Sequence, residues 1–342
     1  MTNSWAGTFI DRMDIKKCLV SLDVGRAVFI LVLSVTTNIA FIYGISFILQ
    51  VLNTIFTTAS FVYMTKLIEP SEQQRFNAWK NFVQSSGFIL GPSIAGLLFL
   101  MGSPQLAIVV NGIALVLSAL IIWRLPNIEK EAPAYEKVTV QLIRQDWKSV
   151  SNHSKKERFV SIVYVFSSSI IVCMTALDSL EAAFAQKGLD LTEAIYGLLV
   201  SIAGLGLIVG SLINAKWPCS PLLAMKYGAV FIALGYLIYA VSHQIFTAAI
   251  GCFILTFAHC YVNIGFITYI QRNIPTALLG RFTSVFGLFE SLGTLSLVLI
   301  FGVAAEQMGL RSVILTGSFV LLGIALWQAA LIHRQHVSSA KS

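Results

Sequence analysis

Residues 227–271 read YGAVFIALGYLIYAVSHQIFTAAIGCFILTFAHCYVNIGFITYIQ, without one Asp, Glu, Lys or Arg. A bilayer core about 30 Å thick takes about 20 apolar residues per helix, so this stretch is too long for a single span and holds two. The polar triplet Ser242-His243-Gln244 is the natural divide. Working outward, the same test finds Phe29 to Thr65, divided at Thr36-Thr37-Asn38, and Asn81 to Trp123, divided at Gly102-Ser103-Pro104. Single spans follow from Phe159 to Leu177, Ala194 to Ala215 and Ser312 to Ile332, and Phe282 to Ala305 is another, interrupted by Glu290. The expected fold is an all-α integral membrane protein of about ten transmembrane helices, near 18–37, 39–66, 78–101, 105–124, 159–185, 193–214, 221–241, 245–270, 281–304 and 311–332. Only helices or closed barrels satisfy every backbone group in lipid, and the alternation of barrel strands is absent.

Composition agrees. Of 342 residues, 56% are hydrophobic and 11% charged, where soluble domains carry about 25% charge; mean hydropathy is +0.80. So few charges cannot cover a water-facing surface. The formal net charge of +7 is explained by topology, because 20 of the 23 Lys and Arg residues fall on alternate loops. That side is read as cytoplasmic by the positive-inside rule, with both termini on it and the chain in the cell membrane. Lys187 and Arg311 lie on the opposite side, and Arg26 lies inside a span. The basic balance therefore marks orientation, and no nucleic-acid partner is expected. Cys18, Cys173, Cys219, Cys252 and Cys260 show no CxxC spacing and read as free thiols, and His259 beside Cys260 reads as a core pair. No cofactor or metal is expected. The first eighteen residues are too polar for a secretory signal.

Residues 125–158 form the one long polar stretch, with Val138, Val140, Leu142, Ile143 and Trp147 set among charges, a pattern for an amphipathic helix at the membrane surface. The domain organisation then reads 1–124, a bundle of four helices; 125–158, a cytoplasmic linker; 159–333, a bundle of six helices; and 334–342, a cytoplasmic tail. A weak repeat at an offset of about 205 residues joins the two bundles. Ile68-Glu69-Pro70 with Arg75-Phe76 echoes Asn273-Ile274-Pro275 with Arg281-Phe282, Gly102 echoes Gly309, Gly112 echoes Gly317, and Trp123 echoes Trp327.

Three motifs carry a family resemblance. Gly7-x-x-x-Asp11-Arg12-x-x-x-Lys16-Lys17, followed by Leu22-Asp23-x-x-Arg26-Ala27, resembles the loop of major facilitator superfamily transporters that precedes the third helix. Gly87-x-x-x-Gly91-Pro92-Ser93-Ile94-Ala95-Gly96 resembles the antiporter signature of the fifth helix, with Ala95 where that signature has a further Gly. Arg75-Phe76-Asn77-Ala78 and Leu279-Gly280-Arg281-Phe282 complete a pattern similar to the macrolide-efflux and siderophore-exporter group of the drug-exporter branch. The resemblance implies a major facilitator fold of twelve helices. On that numbering the first bundle here is incomplete, lacking the first two.

Within this frame, Gly7, Asp11, Arg12 and Lys16 are candidates for a gating latch, since an Asp at a helix end can pair with an Arg on a neighbour in two arrangements; a plain polar turn is the alternative. Asp23 and Arg26 stand one turn apart on a shared face, either as part of that gate or as a structural pair. Gly87, Gly91, Pro92 and Gly96 combine close packing with a helix bend, which suits an antiporter seal or simple tight packing. Glu290, with Asp178 and Glu181 as second choices, is a candidate for proton coupling, because a carboxylate removed from water takes up a proton more readily; buried hydrogen bonding and a solvated helix end are the alternatives. Tyr43, Gln50 and Asn53, with Tyr261, Asn263 and Tyr269, are candidates for a substrate cavity, on the helices that line it in the resembling fold. No phosphate loop, zinc motif or nucleophile elbow occurs, which argues against an enzyme. The expected function is proton-coupled efflux of a small amphipathic molecule by alternating access, with the lipid bilayer, the substrate and protons as partners. The alternative is a truncated, non-transporting remnant or a membrane-embedded interaction protein.

Overall fold

The computed structural model describes residues 14–101, 104–128 and 140–339. Twelve helices follow one another among them: α1 (Ile15–Val35), α2 (Ile39–Leu67), α3 (Gln73–Met101), α4 (Pro104–Arg124), α5 (Val140–Lys156), α6 (Arg158–Asp178), α7 (Glu181–Gly188), α8 (Glu193–Lys216), α9 (Pro221–Val241), α10 (Ile245–Asn273), α11 (Thr276–Met308) and α12 (Leu310–Ser339). The described residues contain no strand, and nine segments are long and apolar enough to cross a membrane, α6 and α7 together forming one. The third expected span, 78–101, corresponds to α3, 29 residues long, which is not among the nine. The protein is thus an all-α membrane protein, multi-pass by the length and apolarity of its helices.

Local chemistry sets the helix ends. Asp14 caps α1 by accepting from the Lys17 amide at 3.1 Å, and Asn38 caps α2 by accepting from the Ala40 amide at 2.9 Å; each satisfies a donor that a helix start leaves without a partner. Pro221 stands in the first turn of α9, where its missing N–H costs nothing. Gly309, with φ +84°, makes the turn between α11 and α12. The expected span 159–185 is broken at Ser179-Leu180, where α6 ends and the short α7 begins.

The chain divides into two compact units, each assembled from separate stretches. Residues 1–69, 90–156 and 274–288 make up the first, and residues 70–89, 157–273 and 289–342 the second. The boundaries therefore fall inside α3 and α11 as well as at the end of α5.

In the first unit, α1 packs between α2 and α4. Tyr63 is fully buried, and its hydroxyl donates to the Pro126 carbonyl at 2.7 Å. On α5, Asp146 and Val150 are buried while Arg144, Lys148 and Ser149 are exposed. The second unit is built on α9 against α10. Lipid is as apolar as Leu, so helix association in a membrane depends on close van der Waals packing of small residues. Gly235 and Gly251 supply it: a Cβ at Gly235 would lie 2.6 Å from the Leu255 Cβ, and one at Gly251 would lie 2.8 Å from the Gly235 carbonyl. Ile170, Leu177, Phe184, Leu199, Ile232 and Leu321 fill the interior from α6, α7, α8, α9 and α12. Large apolar side chains such as Phe246, Leu299 and Phe319 stand exposed, as lipid-facing positions do.

Candidate functional site

The charged cluster of the first unit is centred on Asp23, which α1 holds at 0% exposure. Its carboxylate pairs with Arg26 and accepts a hydrogen bond from the Ser118 hydroxyl on α4 at 2.6 Å. Arg26 donates to Asn53 Oδ1 on α2 at 3.0 Å, and its guanidinium lies 3.9 Å over the Phe56 ring. Three helices are thus tied through one ion pair whose remaining polar valences are largely met, the condition under which charges persist in an apolar interior. Gly7, Asp11 and Arg12 lie outside the described residues. Lys16 stands in the first turn of α1, beside a cleft it shares with Asp14, Trp123 and Asn127.

Tyr43, Gln50 and Asn53 occupy one face of α2 and are exposed within their unit. Phe47 lies among them at 72% exposure. The result is an amphipathic stripe ending on the Arg26 contact. A second ion pair joins Arg281, at the start of α11, to Asp146 of α5 at 3.0 Å, and Phe282 meets the His153 ring edge-on with centroids 6.3 Å apart.

In the second unit, Glu290 of α11 accepts a hydrogen bond from Ser168 of α6, and Tyr164, one turn before Ser168, also hydrogen-bonds it. No ion pair engages Glu290 among the described residues. Tyr164 is itself seated against Phe266, with ring centroids 5.0 Å apart. On the same helix, Ser167 is fully buried and accepts from Gln328 Nε2 of α12 at 2.6 Å, leaving the Gln328 Oε1 buried without a hydrogen-bond partner.

Asp178 ends α6 and accepts a hydrogen bond from the buried Tyr236 hydroxyl. Glu181 opens α7 beyond the break, and its backbone carbonyl accepts from Tyr239 at 3.2 Å. Successive turns of α9 thus hold the Asp178 carboxylate, through Tyr236, and the Glu181 backbone, through Tyr239.

A row of amides runs along the first half of α3. Gln74 Nε2 donates to Asn214 Oδ1 at 3.4 Å and to the Cys219 carbonyl. Asn77 Nδ2 donates to Thr268 Oγ1 at 2.9 Å and to Gln271 Oε1 at 2.7 Å. Asn81 Nδ2 donates to Ser211 Oγ and to Cys260 Sγ, both at 3.2 Å, and Asn263 Nδ2 donates to Asn81 Oδ1 at 3.5 Å. This uncharged zipper binds α3 to α8 and α10 within the second unit.

The structure does not gather the three α10 candidates. Asn263 faces α3, whereas Tyr261 packs tilted against Phe257, ring centroids 5.3 Å apart, beside α9, and Tyr269 is buried. Beside Gly87 and Gly91 the space is open among the described residues, with no heavy atom within 4 Å of a built Cβ. Pro92 and Gly96 continue the backbone of α3. The sequence reading missed Tyr164, Ser168, Gln328 and Tyr236, for which no local pattern exists. It also missed the amide row, although Gln74, Asn77 and Asn81 recur at helical spacing.

The Major Facilitator Superfamily profile matches residues 1–298. No curated protein matches the sequence. Among solved structures, that of the human organic anion transporter MFSD10 (TETRAN) is similar with a TM-score of 0.79 and 15% identity, covering 96% of this chain and 80% of that one. The E. coli fucose:proton symporter FucP is similar with a TM-score of 0.72 and 15% identity, over 97% of this chain and 87% of that one. A bacterial homologue of the iron transporter ferroportin, in its outward-facing state, gives 0.68 and 16% over 97% and 86%. At these identities the likeness concerns the fold.

Proposed function

From the premise that the chain belongs to the major facilitator superfamily, we propose that it is a secondary active transporter exporting a small amphipathic compound in exchange for protons. The observation that carries this reading is Glu290, a carboxylate within a membrane-length helix that two hydroxyl groups hold. Ionisable side chains within a membrane span are costly and characteristically mark proton and ion pathways. Alternating access couples proton movement to substrate movement when the proton-bound and proton-free states favour different conformations. Asp178 and Glu181 are secondary coupling candidates.

The exposed stripe of Tyr43, Phe47, Gln50 and Asn53 supports an amphipathic substrate, since ring faces and amides together suit a molecule with both apolar and polar parts. Gly7, Asp11, Arg12 and Lys16, with the Asp23–Arg26 pair, are the proposed gating elements, and Gly87, Gly91, Pro92 and Gly96 the antiporter-type segment. The same reading puts the protein in the drug-exporter branch and proposes a cell-membrane location with both termini in the cytoplasm and sequence segments 1–124 and 159–333 joined by the linker 125–158.

The test is export of a fluorescent amphiphile from proteoliposomes carrying an imposed proton gradient. Export that collapses on adding a protonophore supports proton antiport. Export indifferent to it overturns that mechanism. No movement across a panel of amphiphiles favours an interaction protein instead.

A further inference from the structure

At the Lys- and Arg-rich end of the second unit, two cavities meet. One, of about 560 Å³, is polar and is lined by Arg75 of α3, Lys216 at the end of α8, Arg272 at the end of α10, and the connection Pro218–Pro221. Three cationic side chains there face one carboxylate, Glu72, and none of the three has an acidic partner in an ion pair among the described residues. The start of α9 opens into the same cavity, and its cap residue Ser220 makes no side-chain capping hydrogen bond. The positive end of that helix dipole thus adds to the cationic field.

The second cavity, of about 510 Å³, is almost wholly apolar and runs between α9 and α10. Its walls are Leu223, Tyr227 and Phe231 on one helix and Phe253, Phe257 and Tyr261 on the other. The α10 aromatics form a ladder, with centroids 6.2 Å apart from Phe253 to Phe257 and 5.3 Å from Phe257 to Tyr261. Cys219 lines both cavities, so they adjoin. From Leu223 to Phe231 the groove follows α9 for about 12 Å, most of the depth of one leaflet of a core about 30 Å thick. Lys216 over the Trp217 ring at 4.6 Å and Lys226 over Tyr227 at 5.0 Å mark the head-group level, where such aromatic and cationic residues collect.

We propose that this composite cavity binds one anionic phospholipid, its phosphate among Arg75, Lys216 and Arg272 and an acyl chain along the Phe253–Phe257–Tyr261 groove. A soluble phosphate compound uses the basic cavity alone and leaves the apolar one unfilled. A zwitterionic lipid fills the groove but brings a second, positive head-group charge to a site already cationic. The two halves of the site together select a ligand that is acidic at one end and oily at the other.

The chain carries its own reporter. Cys219 is partly exposed, whereas Cys18, Cys173, Cys252 and Cys260 are buried. Burial raises the Cys219 thiol above its ordinary value, so maleimide labelling is followed at alkaline pH. The full chain is labelled in nanodiscs of phosphatidylcholine alone, in nanodiscs mixed with phosphatidylglycerol, and in phosphatidylcholine with added glycerol 3-phosphate. Phosphatidylglycerol is expected to slow labelling of Cys219 several-fold, and the other two conditions are not. Lys216→Gln and Arg272→Gln each weaken the protection by about fivefold, with Arg75→Gln as the further variant if either fails to fold. Equal labelling with and without phosphatidylglycerol overturns the proposal. Protection by glycerol 3-phosphate makes the cavity a soluble-phosphate site and overturns the lipid assignment. Protection that survives in folded variants lacking these charges overturns it as well.

Discussion

Ser168 on α6 donates its hydroxyl hydrogen to Glu290 on α11, bridging two helices of the second unit through a carboxylate that lies within a membrane span. If that carboxylate is the coupling group, Glu290→Gln keeps the shape and a hydrogen bond but removes the charge change. The expected outcome is a folded protein whose transport no longer responds to an imposed pH gradient, with a loss of at least about tenfold in gradient-driven rate, equivalent to about 1.4 kcal/mol. Ser168→Ala is expected to be milder, shifting the pH midpoint of transport without abolishing it. Full pH-dependent transport by Glu290→Gln removes this residue from the mechanism.

The Asp23–Arg26 pair answers to a different measurement. Asp23 is fully buried and Ser118 also serves it, so Arg26→Ala strands a charge where no water replaces the partner. Thermal unfolding in detergent is expected to show a loss of about 3–5 kcal/mol. The double change Asp23→Asn with Arg26→Gln, which removes both charges, is expected to recover much of that loss.

Arg281 and Asp146 offer a charge-swap experiment. Asp146→Arg alone places two cations together at a largely buried position and lowers stability by an amount on the order of 1.5–3 kcal/mol. Adding Arg281→Asp restores the attraction with its direction reversed. A double-mutant cycle in thermal stability showing no coupling energy would mean that α5 is held to the start of α11 by other contacts alone.

Glycine packing makes the sharpest contrast between sites. Gly235→Ala pushes a Cβ against the Leu255 backbone, with a nitrogen 2.7 Å away, and is expected to cost about 1–3 kcal/mol. Gly44→Ala on α2 meets no atom within 4 Å and is expected to be neutral or slightly stabilising, since alanine is the better helix former. Melting temperatures of the two variants, measured side by side, decide it.

Membrane spans are legible because apolarity over a fixed length is a strong, one-dimensional signal. The expected 221–241 helix coincides with α9, Pro221–Val241. Where polarity is satisfied by partners remote in sequence, that signal fails. The expected start of the third span at residue 78 lies inside α3, which begins at Gln73, because Gln74 and Asn77 find hydrogen-bond partners on α8 and α10 and need no water. The break after Asp178 was also invisible, since neither Ser179 nor Leu180 interrupts a helix by its own chemistry.

At the candidate site the same division holds. The Asp23–Arg26 spacing announces its ion pair, because the two lie one turn apart. Glu290 is conspicuous as a charge in an apolar run, yet its partner Ser168 is one serine among several in α6. Tyr261 and Asn263 were grouped by residue type, but they are separated by about 200° around a helix and so serve different neighbours.

Five times along its length the chain passes from one compact unit to the other, twice in mid-helix. The protein is therefore not modular in the sense a gene engineer needs. A chimera that exchanges everything after residue 157 with a homologue transplants only part of each body, leaving residues 70–89 and 274–288 among foreign neighbours. Splicing that respects these units has to move three separate stretches at once, and natural recombination at a single junction faces the same obstacle.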